Sequence, residues 1–233
     1  MDIVHATGIE GVKRARGTVV VIDVLRSFTV SAYALAGGAR ECLLVPTTAE
    51  ARQLAARNPG SIVSAEEEGL PVEGIAISNS PTQVRAAELK GRTLIQRSSA
   101  GTPVMAAVPR GRRMFAASLV VARSTAQACL LRQPTTVTLV ASASFPEDQA
   151  CLLYLDALLR GHRPEIGHLL RPLRNSARYK RFASGDWPGF PPSDLDLALT
   201  ADCFDFAMPV TRLSACLRVT AAHLTLRRRP RLS

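Results

Sequence analysis

Aromatic residues make up only 5% of this 233-residue chain, and acidic residues are outnumbered: 19 Asp and Glu stand against 29 Lys and Arg, a formal net charge of +10. A basic surface draws anionic partners through its summed field, but a chain this poor in aromatics offers no interleaved stacking platform for single-stranded nucleic acid. The five cysteines (Cys42, Cys129, Cys151, Cys203 and Cys216) are odd in number and never stand as C-x-x-C. That argues against a disulfide framework or a zinc knuckle and suits a reducing cytoplasm. No apolar run approaches the roughly 18 residues that cross a bilayer, and the start, MDIVHATGIEGVKRARG, has no apolar signal-peptide core, so neither export nor membrane insertion is expected. The four histidines, His5, His162, His168 and His223, make no metal-ligand spacing and show no triad partner. A Walker A loop and a G-x-G-x-x-G turn are also missing, which leaves nucleotide binding without a motif.

What is present is regular. Short β-rich runs, TVVVID (18–23), ECLLVP (41–46), SIVSA (61–65), RTLIQ (92–96), RMFAAS (113–118) and TVTLVAS (136–142), alternate with Ala-rich segments of helical period. PEDQACLLYLDALLRG is a strong helix with an acidic first turn and a terminating Gly161. This alternation predicts an α/β protein: a three-layer α/β/α fold with a mainly parallel sheet and a less regular C-terminal portion. One domain spanning 1–233 is expected, with room for a sub-lobe from about 162, and 47% hydrophobic content is enough for its core.

Open parallel sheets bind ligands beyond the carboxyl ends of their strands, and the polar residues of this chain gather there. Asp23 and Arg26 follow the first strong strand, where a carboxylate can hold Mg²⁺ and a guanidinium can clamp a phosphate oxygen. The plainer alternative is a helix cap and a surface arginine. SSAGT (98–102) follows a strand and opens a helix with small side chains that let backbone N–H groups approach an anion, or simply cap. AEEEG (65–69) ends another strand, and Glu147 and Asp148 open the long helix, where dipole compensation alone explains acidic residues. Each cluster is weak alone; their shared placement gives them weight.

The ordered set VVIDVLRS…ALAGGA, EEEGLPVEGIAISNSP, SSAGT, SLV and PEDQAC resembles the 2-phosphosulfolactate phosphatase family over about 18–160, with a fainter match at DLDLALTADCFDFAMPV. The resemblance implies an Mg²⁺-dependent phosphatase on the route to coenzyme M, acting on a small anionic phosphorylated substrate. It implies catalytic roles for Asp23 and Arg26, and substrate binding by Asn79, Ser80, Ser99, Gly101 and Thr102. Asp23, Glu66, Glu147 and Asp148 are the metal ligands it suggests, and the amides of Ser99 to Thr102 would stabilise transition-state charge. Three positions depart from the family pattern. The Gly-Glu-Arg turn reads Ala65-Glu66-Glu67, and Ser78 and Ala100 replace a Gly and an Asn. An anion in place of a cation would repel a charged substrate, unless Arg97 or the basic stretch 171–181 compensates.

Two other classes compete. An inactive member that binds an anionic metabolite or nucleic acid would explain the net charge and Glu67, although nucleic acid is disfavoured and the tail RRRPRLS reads as a solvated end. An isochorismatase-type cysteine hydrolase would need Cys129 as nucleophile, but this cysteine sits in the helical run TAQACLLR on what reads as its apolar face. A homo-oligomer is compatible with apolar segments such as VVARSTAQACLL, which suit an interface as readily as a core. Trp187, in a Pro/Gly-rich loop, is expected to anchor that loop.

Overall fold

The computed structural model describes residues 1–223; the basic tail at 227–233 lies outside the described residues. Its elements are β1 (Asp2–Thr7), α1 (Gly8–Val12), β2 (Thr18–Ile22), α2 (Ser27–Ala36), β3 (Glu41–Leu44), α3 (Thr48–Arg57), β4 (Ile62–Glu67), β5 (Leu70–Pro71) and α4 (Pro81–Ala86). They continue with β6 (Thr93–Arg97), α5 (Gly101–Ala106), β7 (Arg113–Ala117), α6 (Ala122–Leu130), β8 (Thr136–Ala141) and α7 (Pro146–Leu159). Four short helices follow, α8 (Ile166–Leu169), α9 (Arg171–Arg174), α10 (Ala177–Ala183) and α11 (Ser193–Leu199), and then β9 (Phe206–Arg212), β10 (Leu217–Val219) and β11 (Ala222–His223). All six strands read from the sequence are present as β2, β3, β4, β6, β7 and β8, and the C-terminal portion is less regular, as expected.

The sheet runs β1-β8-β2-β7-β9-β10-β3-β6-β4-β5, with β11 on β9. It consists of two parallel halves, β1-β8-β2-β7 and β3-β6-β4, joined through the antiparallel pair β9 and β10. The antiparallel pairings β7/β9, β9/β10 and β10/β3 reverse the strand sense three times, so in a flat sheet the carboxyl ends of the two halves would lie at opposite edges. Sheets twist by roughly 20–25° per strand, and over the steps from β2 to β4 this accumulates to about 120–150°, which turns the two sets of ends toward each other.

Helix α2 is the pivot. Ser27 to Ala32 are all fully buried, as is Ala34, so the helix has apolar or small residues nearly all round. One continuous core joins Phe28 and Val30 of α2 to Val19 and Val21 of β2, Cys42 and Leu44 of β3, and Met208 of β9, so this face of the twisted sheet wraps around the helix. The alternate residues of β2, Val20 and Ile22, pack on the opposite side with Cys129 of α6 and Leu152 and Leu155 of α7. Burial on both faces is why β2 reads as an unbroken apolar run rather than an alternating one. A separate small core of Phe182, Phe190 and Leu195 forms in the C-terminal portion, against Leu25 and Trp187. Among the described residues no helix is long and apolar enough to cross a membrane.

Candidate active site

A cavity of about 930 Å³ opens where the carboxyl ends of the two parallel halves meet. Its polar wall carries Asp23 and Arg26 from the turn after β2, Glu66 from the end of β4, Asn79 from the turn before α4, and Ser98 and Ser99 from the loop after β6. Asp23 is 3% exposed and takes an N–H bond from Ser27 at 3.1 Å. Burial pushes its carboxyl up to about 7, and the charges of Glu66 and Glu147 add to the rise against hydrogen bonds from the amides of Ser27 and Gly101. Gly101 is pressed onto this carboxylate: a Cβ there would lie 2.6 Å from Asp23 Oδ2.

The SSAGT loop lies at the cavity, and most of its amides already have partners within the protein. Ser99 donates its N–H and its hydroxyl to Glu66, Gly101 N–H binds Asp23, and Thr102 N–H is taken by Ser98 Oγ at 3.1 Å. The loop is an anion-binding nest, but its anions are the protein's own carboxylates: of the four amides expected to face substrate, those of Ser99 and Gly101 turn to Glu66 and Asp23, and that of Thr102 to a hydroxyl. Glu66 also accepts from Gly69 N–H, and the Arg97 guanidinium bonds its backbone carbonyl and Ser99 Oγ.

Arg26 is 5% exposed, and the peptide joining it to Leu25 is cis. Its Nη1 donates to Gly189 O at 2.6 Å and to Asp194 Oδ2 at 2.9 Å, and its plane lies over the Phe190 ring at 4.3 Å. A guanidinium carries five donors, so those of Nη2 and Nε stay free of protein partners among the described residues and can meet an anion in the cavity. Asn79 has a positive φ of 55°, a conformation in which Asn is favoured, and its Oδ1 accepts from Gln96 Nε2 at 2.8 Å.

Besides Gly101, four expected site residues stand behind the wall. Ser80 caps α4 and donates to Asp194 Oδ1 at 2.7 Å, and Thr102 Oγ1 bonds Ser98 Oγ at 3.0 Å. Asp148 receives Val24 N–H at 2.8 Å and Ser142 Oγ at 2.7 Å, tying the turn after β2 to the end of β8; burial, then the Asp23 charge, raise its carboxyl well above the usual range. Glu147 is fully buried on an ion pair with Arg178 at 2.8 Å. Of the four carboxylates expected to hold a metal, only Asp23 and Glu66 reach the cavity wall.

Of the departures from the family pattern, Glu67 points outward, accepts from Thr48 Oγ1 at 2.7 Å and is not on the wall; strand alternation sends neighbours to opposite faces. Ser78 Oγ donates to Gly189 O at 2.7 Å, holding the 187–192 loop against the site. Trp187 anchors that loop as expected, with Nε1 donating to Gly69 O at 3.0 Å. Cys129 is buried in α6, away from the cavity, with its thiol pushed up to about 12 by burial, which removes it as a nucleophile.

Sequence reasoning missed Asp194, Gln96 and the aromatic residues Phe145, Phe182 and Phe190. Gln96 was the most accessible of these: an amide inside the apolar run RTLIQ is fully buried and bonds Ser31, Ser27 and Asn79. Asp194 opens the stretch DLDLALTADCFDFAMPV of the fainter family match, where nothing local distinguishes it from Asp196.

No group of three or more His, Cys, Asp or Glu side chains among the described residues is placed to hold a metal by itself. Mg²⁺ has no need of one, because it keeps several waters and is held through one or two carboxylates together with substrate phosphate. Two hard oxygen donors on one wall, one of them a buried carboxylate lacking a cationic partner, fit that ion.

A mixed α/β sheet with a carboxylate–arginine site at the joined carboxyl ends of its strands defines an α/β enzyme. More narrowly, the chain belongs to the 2-phosphosulpholactate phosphatase family, whose model matches residues 5–161. It is 29% identical over 195 residues to a probable 2-phosphosulfolactate phosphatase of Bacillus subtilis, covering 82% of this chain and 86% of that protein. It is also 36% identical over 126 residues to one of Carboxydothermus hydrogenoformans (54% and 52%) and 27% identical over 156 residues to one of Thermoplasma acidophilum (65% and 70%).

Proposed function

We propose that this protein is an Mg²⁺-dependent phosphatase that hydrolyses 2-phosphosulfolactate or a related phosphorylated hydroxy acid. The observation that carries the reading is the convergence of Asp23, Glu66 and Arg26 on one cavity from strands of both sheet halves. Asp23 and Glu66 are the residues that would hold Mg²⁺, and the ion would supply neutralisation of phosphoryl charge. Arg26, fixed by Asp194 and Phe190, presents its free donors to the phosphate oxygens. Preorganised donors of this kind stabilise charge that builds in the transition state without moving when it forms. The nest at 98–102 keeps both carboxylates in place, and the Arg97 guanidinium supports it from behind. A cytoplasmic enzyme on the route to coenzyme M follows from the same reading, in keeping with five free cysteines. The alternative of an inactive anion binder rested on the net charge and on Glu67, and the outward-facing Glu67 withdraws the second of these supports.

Phosphate release from 2-phosphosulfolactate and a panel of small phosphate monoesters, with Mg²⁺ and with EDTA, tests the proposal. Metal-dependent release is expected; no release from any ester at millimolar concentration would remove it.

A further inference from the structure

Residues 177–192 lie beyond the part of the chain that the family model matches, yet they build one wall of the cavity. Arg178 and Arg181 stand three residues apart on α10, hence on one face of it, and both line the cavity. Each lies against aromatic rings. Arg178 is 3.7 Å from the Phe145 centroid and 4.8 Å from that of Phe182, and Arg181 is 3.5 Å from that of Trp187. Stacking fixes the plane of a guanidinium while leaving its in-plane N–H groups free. Arg178 uses Nε on Glu147 at 2.8 Å, which orients it and leaves both Nη groups; the Arg181 guanidinium has no hydrogen bond or ion pair among the described residues.

A phosphate held by Arg26 beside Asp23 and Glu66 leaves these two planar forks without a role in the chemistry. They match the geometry of a second acid group, a carboxylate or sulfonate, which accepts parallel N–H bonds. We infer that Arg178 and Arg181 form a second-anion subsite, which makes the enzyme select phosphate esters that carry a sulfonate or carboxylate on the same short carbon skeleton. The inference rests on the phosphatase reading for the place of the phosphate. It also assigns substrate choice to a segment distinct from the one that carries the carboxylates.

Arg181 is exposed at the cavity mouth, so Arg181→Gln leaves the core untouched, and Arg181→Lys separates charge from fork geometry. Calorimetric titration of the full chain with 3-sulfolactate and, separately, with inorganic phosphate, both in Mg²⁺, reads the subsite directly. Arg181→Gln should weaken 3-sulfolactate roughly 10–100-fold relative to phosphate, with Arg181→Lys recovering only part of the loss. Equal weakening of both ligands, no weakening of either, or failure of the wild type to take up 3-sulfolactate at millimolar concentration would each overturn the inference. If arginine-dependent 3-sulfolactate binding is found while no ester is hydrolysed, the subsite stands and the phosphatase reading falls.

Discussion

Arg26 and Asp194 meet at 2.9 Å with their side chains 4% and 0% exposed, although 168 residues separate them in the chain. An enclosed ion pair needs further hydrogen bonds to offset its desolvation, and here Ser80 Oγ and Thr82 N–H complete the Asp194 carboxylate, while Arg26 keeps its Nη2 and Nε donors free toward the cavity. The C-terminal portion thus fixes the orientation of the arginine that follows β2.

Removing one partner of this pair leaves a buried charge. Asp194→Ala should lower unfolding stability by about 3–5 kcal/mol. Asp194→Asn, which keeps the shape and loses the charge, should fold and show a kcat reduced by roughly tenfold or more, because Arg26 loses its fixed plane. Thermal melts and steady-state kinetics check the pair. An Asp194→Asn enzyme with unchanged kcat would separate Asp194 from the site.

Gly101→Ala would set a Cβ 2.6 Å from Asp23 Oδ2 and 3.0 Å from Asp23 Cβ, contacts that neither backbone can relieve cheaply. The carboxylate must move, and displacements of about 1 Å cost on the order of 100-fold in turnover. A soluble, folded Gly101→Ala protein with near wild-type phosphate release would show that Asp23 has no need of its present position.

Asp23 also gives the metal-free protein a pH dependence. Its folded-state value near 7 lies above the ordinary carboxylate value of about 3.9, so the fold disfavours the ionised form. The stability is intact below pH ~4 and is lost as pH rises toward 7, the reverse of a salt-bridged carboxylate. In EDTA the melting temperature should therefore fall between pH 5 and pH 8, and Asp23→Asn should be more stable than wild type at pH 8 by about 1–3 kcal/mol. Mg²⁺ should restore wild-type stability at pH 8 far more than at pH 5. A melting temperature in EDTA that is flat or rising over this range would contradict the burial of an uncompensated carboxylate.

Glu67 faces Thr48 and solvent, so its negative charge should matter little. Glu67→Gln should change kcat/KM by less than about twofold at physiological salt, where exposed charges are screened beyond roughly 8 Å. A large gain in activity would mean that Glu67 does repel the substrate.

The sequence displays β2 and Asp23 openly because burial of both sheet faces produces an unbroken apolar run, and a carboxylate ending such a run stands out. It also displays Glu66 and the 98–102 loop, since both follow strands. It does not display the destination of the loop amides: SSAGT fits a substrate nest and a carboxylate nest equally, and only the position of Asp23 beside Gly101 decides between them. Strands β9 and β10 were hidden for another reason. β9 has seven residues but carries Pro209 and is buried at Phe206, Ala207, Met208 and Val210 rather than at every second position, and β10 has only three residues, so neither shows an alternating pattern. Arg178 and Arg181 showed only as part of the basic stretch 171–181, because the rings that fix them include Phe145 and Trp187, which lie outside α10.

The most direct test of the account is the rate of phosphate release from 2-phosphosulfolactate by wild type and Asp23→Asn, each with Mg²⁺ and with EDTA, on protein shown to be folded by its melting curve. The account predicts turnover that EDTA abolishes and that Asp23→Asn lowers by at least about 1,000-fold while the fold is kept. Mg²⁺-dependent turnover that survives in Asp23→Asn would contradict it, because the carboxylate at the end of β2 would then be a structural residue rather than the centre of the site.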